Sequence, residues 1–385
     1  MTDTMQGLAR RALAHQQAGT TDQADEILQL PVSMYTDPAR HEREIQRVFR
    51  ELPIAVCLSI ELPAPGTYRA MTLMETPVLV VRGDDGEVRA FLNICRHRGA
   101  QVCAEGAGKA RVFACPYHAW VYDQKGALTG RYGADTFGDI DVDRYGLVSL
   151  ACAEAHGVVY AILTSRREFD LAEWLGDFAL ELASLDLGNW HLFEQRDLPG
   201  PGWKVTMDGY LEAYHHNLVH AKTVGQYTVG NLLVLDTWGP HQRLTFGRKS
   251  LAELAGTPES AWQPQKHIRL IHSCFPNLSV SGILGDHCLV SQIFPGKTPD
   301  TTVTRQSVLV ARQPVTQAEV DATRTFSAMT LQAVAEEDYR IGFGIQRGIL
   351  AGANEHFLIG RNEPAIQNYH RWVAYFLRAN SGAQW

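Results

Sequence analysis

The segment Phe91-Leu92-Asn93-Ile94-Cys95-Arg96-His97-Arg98-Gly99, followed by Cys115-Pro116-Tyr117-His118-Ala119-Trp120, decides how the rest of the 385-residue chain is read. The spacing is C-x-H, seventeen residues, then C-x2-H. Two thiolates and two imidazoles on paired loops suit one Zn²⁺, or a [2Fe–2S] cluster with both Cys on one iron and both His on the other. Zinc sites separate their first ligand pair by two to four residues, so C-x-H fits them poorly. One Cys and one His in each loop suits a cluster whose irons differ in their ligands. Imidazole ligation raises the potential, so that such a cluster accepts electrons from a low-potential donor.

The surrounding texture agrees with a small β domain. From about 52 to 160, short β-rich runs are broken by Gly, as where Val78–Val81 precede the turn Gly83-Asp84-Asp85-Gly86. Residues 1–50 read as polar and helical, with Asp37-Pro38 opening one helix. Beyond Ile162, helix patterns are expected over Leu171–Leu185, from Trp203 to about His216, and from Val315 to about Leu350. Strand-like runs fall at Leu232–Leu235, Leu278–Ile283, His287–Ile293 and Thr302–Val310. The fold class is therefore α+β: a small all-β domain, then a catalytic domain with an antiparallel sheet flanked by helices. The expected divisions are an N-terminal helical segment (1–44) packing on the catalytic domain, the β domain (45–160) and the catalytic domain (161–385).

Within the second half lies Gly209-Tyr210-Leu211-Glu212-Ala213-Tyr214-His215-His216-Asn217-Leu218-Val219-His220, which contains E-x-Y-H-x4-H. Two His and one carboxylate on one face of Fe(II) leave positions open for O2 and substrate. His215 and His220 are five apart, ~140° around an ideal α-helix, so a helix there must distort or end. Glu336-Glu337-Asp338 supplies candidate third ligands.

Composition narrows the alternatives. The chain is 45% hydrophobic and 20% charged, enough apolar content for packed cores. A net charge of −7 removes the basic footprint of a nucleic-acid binder. No stretch approaches the ~18 apolar residues that span a bilayer, so no membrane association is expected. The N-terminus MTDTMQGLARRALAHQQ lacks an apolar signal core, and a cytoplasmic location follows as an expectation. Seven Cys argue against a disulfide scaffold, and Cys57, Cys103, Cys152, Cys274 and Cys288 read as buried free thiols. His216, His241, His267, His272 and His287 read as ordinary solvated or hydrogen-bonded histidines.

The Cys95–Trp120 segment resembles the Rieske motif of ring-hydroxylating oxygenase α subunits, with Ala119 where the family usually has Gly. The resemblance implies that Cys95, His97, Cys115 and His118 hold a [2Fe–2S] cluster, and that His215, His220 and Asp338 hold a mononuclear Fe(II), with Glu337 as the alternative third ligand. It gives Glu212 the role of an electron-transfer bridge between His118 or His97 of one subunit and His215 of the next, in a head-to-tail homotrimer. Gly202 and Gly209 stand where relatives often show Asn. The implied function is a terminal oxygenase that uses O2 and electrons from a separate reductase to dihydroxylate or monooxygenate an aromatic or alicyclic substrate. The alternative is a monooxygenase or demethylase of a quaternary ammonium or methoxy compound.

No GxGxxG, P-loop or plant-type ferredoxin spacing occurs, so NAD(P)H would act only indirectly, through a reductase and, in some systems, a ferredoxin. Arg96, Arg98, Lys109, Arg111 and Lys125, against Glu105 and Asp123, form a local basic patch that would steer an acidic ferredoxin. Substrate contacts are expected from the strands at 278–293 and from Phe343 and Ile345. A pure electron carrier would leave H-x4-H unexplained, and a zinc-stabilised binding module is the third reading.

Overall fold

The computed structural model describes residues 4–164, 167–284 and 286–378. The chain separates into two compact units, one of residues 49–174 with 185–189, the other of residues up to 48, 175–184 and from 190 onward.

The first unit is all β around its core. Thr76–Arg82 pairs with Val88–Leu92 across the Gly83–Glu87 loop, where Gly83 N–H donates to Glu87 O at 2.9 Å. Ser149–Leu150, Thr67–Leu73 and Gly106–Lys109 complete a five-stranded sheet. Two three-stranded sheets accompany it, one of Val112–Ala114, Val121–Asp123 and Leu128–Gly130, the other of Cys152–Ala155, Val158–Ala161 and Ile54–Leu58. Leu79, Val81, Phe91, Trp120 and Tyr122 form one buried cluster that also contains Cys95 and Cys115. The two loops of the motif therefore grow directly from the core, which fixes their backbones.

The second unit is built on a seven-stranded antiparallel sheet. Its order is His191–Gly200, Thr302–Val310, His287–Pro295, Leu278–Leu284, Ile268–Cys274, His241–Arg248, Thr228–Trp238. The α+β expectation holds. The N-terminal helix Met5–Ala18 is capped by Thr4, whose side chain accepts from Gly7 N–H, and it buries Leu8, Ala9, Ala12 and Leu13 against Leu232, Val234, Leu251 and Ile268.

Several expectations are corrected. The segment 1–44 is not wholly helical, because Leu28–Pro31 is a strand paired with His356–Ile359, a partner too distant in sequence to leave a local signal. The helix expected over Leu171–Leu185 breaks into Leu171–Leu175 and Phe178–Leu185, and Gly176 between them takes φ +49°. The helix from Trp203 ends at Tyr210 rather than His216. The helix from 315 to 350 is Gln317–Leu331 and Tyr339–Leu350 joined by a π-helical stretch, Gln332–Asp338. Cys57, Cys274 and Cys288 are buried free thiols, whereas Cys103 and Cys152 are only partly buried.

Candidate active site

The two Cys–His loops share one backbone design. Cys95 N–H donates to Ala100 O and Gly99 N–H donates to Cys95 O; Cys115 N–H donates to Trp120 O and Ala119 N–H donates to Cys115 O. Gly99 and Ala119 are thus equivalent, and both take positive φ, +79° and +52°. An L-residue pays roughly 1–2 kcal/mol for that conformation. Ala119→Gly is expected to stabilise this unit by about 0.5–1 kcal/mol, after glycine's greater freedom in the unfolded chain is subtracted. Thermal unfolding of the two proteins checks this, and an unchanged midpoint would show that Ala119 is unstrained.

The four side chains form a coherent donor set. Cys95 and Cys115 share one buried cluster, and burial, then the neighbouring Cys95 thiol, holds the Cys115 thiol above its ordinary range. The rings of His97 and His118 stand 4.8 Å apart, and His97 stacks on Trp120 at 5.0 Å. Tyr122 OH lies 3.4 Å from Cys95 Sγ and accepts from Arg96 N–H at 2.9 Å. Desolvation, then the Arg98 and His97 charges, holds His118 below its ordinary range, favouring the neutral ring that ligates metals. Soft sulfur and neutral nitrogen donors in this pairing fit a [2Fe–2S] cluster with asymmetric ligation.

The second site is made by a one-turn helix. His215 and His220 flank His216–Val219, and His215 O accepts from Val219 N–H at 2.9 Å. Gly225 allows the following chain to turn back, since a Cβ there would lie 2.3 Å from His216 O. His215 Nε2 and His220 Nε2 are 3.1 Å apart, and Asp338 Oδ1 lies 3.5 and 3.0 Å from them. One ligand atom from each of the three residues falls within 4.8 Å of the others.

Behind each imidazole stands a second carboxylate. Glu212 contacts His215 Nδ1, and its other oxygen accepts from the Tyr214 and His215 backbone N–H groups. Glu337 Oε2 lies 2.8 Å from His220 Nδ1 and accepts from Thr223 Oγ1 at 2.6 Å. With a carboxylate at Nδ1, each ring turns its Nε2 toward Asp338, the arrangement that metal-ligating histidines adopt. Burial pushes His220 down, but Asp338 and Glu337 outweigh it and hold the ring above its ordinary range. The same negative field favours a cation, so the site fits a divalent iron. The sequence offers Glu337 only as the alternative to Asp338, a ranking that rests on the family resemblance; the structure puts Glu337 behind His220.

Two cavities, of about 320 and 270 Å³, meet at this triad and share Gly209, Tyr210, His215 and Asp338. The first is walled by Glu212, Glu363, Ile341, Ile345 and Leu358. The second runs under the sheet, past Phe246, Ser281, Leu289, Phe326 and Val334. The strands at 278–293 thus contribute Ser281 and Leu289, and Ile345 lines the first cavity; Phe343 lines neither. His216, expected to be an ordinary histidine, is on the wall of the second cavity, its ring 5.0 Å from Phe246 and its buried Nδ1 unpartnered. His241, His267, His272 and His287 are hydrogen-bonded to Phe275 N, Ser250, Glu181 and Thr323. Gly202 has no room for a side chain, because a Cβ would meet Pro299 O at 2.2 Å; Gly209 faces open space and widens both cavities. In the basic patch, Lys109 and Arg111 are exposed, whereas Lys125 is 3.6 Å from Asp85.

Comparison with known proteins places these sites. A model of the Rieske [2Fe-2S] domain matches residues 53–136, and a model of the ring hydroxylating alpha subunit (catalytic domain) matches residues 187–379. The glycine betaine monooxygenase oxygenase subunit of Chromohalobacter salexigens is 26% identical over 83% of this chain and 79% of its own length. Terephthalate 1,2-dioxygenase, terminal oxygenase component subunit alpha 2, of Comamonas sp is 39% identical over 50% of this chain and 48% of its own length. A crystal structure of the quaternary ammonium Rieske monooxygenase CntA covers 92% of this chain and 96% of its own, with a TM-score of 0.80 at 23% identity, a likeness of fold. The paired Cys–His loops and the His–His–Asp triad thus sit in the two domains that define Rieske non-haem iron oxygenases, and the chain belongs to their ring-hydroxylating α-subunit family.

Proposed function

We propose that this chain is the terminal oxygenase of a multicomponent system that inserts oxygen from O2 into a small organic substrate. A separate reductase, with or without a ferredoxin, supplies the electrons. The observation that carries this reading is the convergence of His215, His220 and Asp338, each imidazole backed by its own carboxylate. In this reading Cys95, His97, Cys115 and His118 hold the cluster, and the triad holds the iron. When bound, the iron supplies the O2 chemistry and the cluster the reducing equivalents. Glu212 and Glu337 fix the tautomers of His215 and His220, and the cavity walls keep water from the bound substrate.

Glu212 is assigned the bridging role toward His118 of a neighbouring copy in a head-to-tail trimer. Ile341, Ile345 and Leu358, 42%, 42% and 67% exposed, line the cavity at Glu212 and support an interface there. Residues 45–160 are assigned as the cluster domain and 161–385 as the catalytic domain, joined by the segment 1–44, whose first helix packs on the large sheet. Exposed Lys109 and Arg111 support docking of an acidic electron donor. Free cysteines throughout the described residues support a reducing, cytoplasmic setting.

An aromatic or alicyclic substrate is supported by Tyr210, Tyr227, Phe246 and Phe326 on the second cavity. A quaternary ammonium substrate is the second reading, because in sequence the glycine betaine monooxygenase subunits align over 83–94% of this chain and the aromatic oxygenase subunits over 39–52%. Hydroxylation of an N-methyl group releases formaldehyde, whereas ring hydroxylation retains one or two oxygens in the product. Purified protein with a surrogate reductase, screened for substrate-dependent O2 uptake, product mass and formaldehyde, separates the two. Cluster reduction without O2 uptake on any substrate would leave an electron carrier instead.

A further inference from the structure

Among the described residues, the second cavity holds two cations with no acidic partner. Arg248 and Arg269 both line it, and the only carboxylate on its wall is Asp338. Strand geometry places them side by side. Phe246 and Arg269 are directly opposite in the ladder, and Arg248 is two residues beyond Phe246, so all three side chains leave the same face of the sheet. Ile271, Ser281 and Leu289 continue that face across the next strands and also line the cavity.

Among the described residues, each guanidinium is held by neutral oxygens only. Arg248 Nη1 donates to Lys266 O at 3.2 Å, and Arg269 Nη1 donates to Gln265 O and Ile268 O at 2.6 Å. Arg248 also lies 5.7 Å from the centre of the Tyr227 ring, another wall residue. Neither pairs with a carboxylate of the described residues. Burial, then repulsion from Arg248, pushes Arg269 down to about 10. Two half-buried like charges on one apolar wall are costly unless an anion comes between them.

We propose that the substrate of this oxygenase carries an oxyanion, a carboxylate or sulfonate, which docks on Arg248 and Arg269 while its apolar body lies over Phe246 and Leu289. The proposal rests on the oxygenase reading for the word substrate, but the anion site itself does not. Planar guanidinium forks match carboxylates and sulfonates with paired hydrogen bonds. Such a headgroup is common to aromatic acids and to betaines, so the site constrains the substrate in both readings of the body. It disfavours bare hydrocarbons and simple cations, which would bring no counter-charge to either arginine.

Binding to the iron-loaded protein, measured by calorimetry without reductase, tests this. The probes are benzoate, terephthalate, benzenesulfonate and glycine betaine, with benzamide and choline as partners lacking the anion. The expected result is that at least one anionic probe binds and that its uncharged or cationic partner binds at least tenfold more weakly. Arg269→Met and Arg248→Met should each weaken the anion roughly 10–100-fold, and Arg269→Lys should restore part of the loss. Far-ultraviolet circular dichroism and cluster absorbance report that each variant is folded. Failure of every anion to bind, equal binding of benzamide or choline, or anion preference that survives both Met substitutions would overturn the proposal. No turnover is read, so these outcomes are separate from the oxygenase reading, which stands or falls on iron content and O2 uptake.

Discussion

Asp338→Ala is expected to reduce substrate-dependent O2 uptake to background while leaving the visible absorption of the [2Fe–2S] cluster unchanged. Asp338 Oδ1 is the one anionic donor in the converging set, 3.0 Å from His220 Nε2 and 3.5 Å from His215 Nε2. Without it the site offers two neutral imidazoles and no charge to offset a divalent ion. The cluster ligands lie in the other compact unit and share no residue with the triad. Glu337→Gln provides the contrast. It weakens the hold on His220 Nδ1 and Thr223 without removing a ligand, so iron affinity should fall roughly 10–100-fold. Excess Fe(II) should then restore activity to Glu337→Gln but not to Asp338→Ala. Metal analysis and an oxygen electrode measure both, and the opposite pattern would make Glu337 the ligand.

What the sequence discloses about this site follows from how narrowly chemistry constrains each position. Only thiolate and imidazole suit the cluster, so Cys95, His97, Cys115 and His118 are legible as letters at fixed spacing. His215 and His220 are legible for the same reason, and the five-residue gap already requires a helix that distorts or ends between them. The structure supplies that as a one-turn helix. Glu337 and Asp338 are adjacent acids on one stretch, and apart from the family resemblance only tertiary packing separates one behind His220 from one facing both rings. The π-helical form of Gln332–Asp338, a distortion often found at functional sites, has no residue signature of its own.

The sheet was half legible, and the unread half is instructive. His241–Arg248 buries seven of its eight residues, including Gln242, Arg243 and Thr245, so its polar letters hide a strand enclosed on both faces. Arg243 is stabilised there by Glu181 at 2.7 Å and Asp236 at 2.9 Å, partners from elsewhere in the chain. Missing that strand also conceals Arg248, and missing Ile268–Cys274 conceals Arg269. A hydrophobic pattern reports which face meets a core. It is silent on a face that meets a substrate, where polar groups are placed for a ligand that the pattern does not contain.

The helix that leads into the ligand loop is expected to depend on one buried ion pair, and Lys204→Met should destabilise the catalytic unit by about 3 kcal/mol. Lys204 and Glu44 are 2% and 0% exposed and in direct contact, tying Trp203–Tyr210 to the end of the helix Pro38–Glu44. Burial lowers the Lys204 ammonium below its ordinary range despite Glu44, so desolvation is the larger influence on it. Lys204 Nζ also lies 4.6 Å from the Trp203 ring centre. Removing the ammonium alone leaves Glu44 in the interior with Arg40, at 2.8 Å, as its only charged partner among the described residues. A loss of that size lowers the unfolding midpoint of a unit this large by roughly 6–12 °C. Replacing both residues, Glu44→Met with Lys204→Met, should recover most of the loss, because an apolar pair of similar volume pays no desolvation. The signature is therefore non-additivity, with the double variant more stable than Lys204→Met alone. Equal or greater loss in the double variant would mean that packing around Trp203, rather than charge compensation, holds the helix in place.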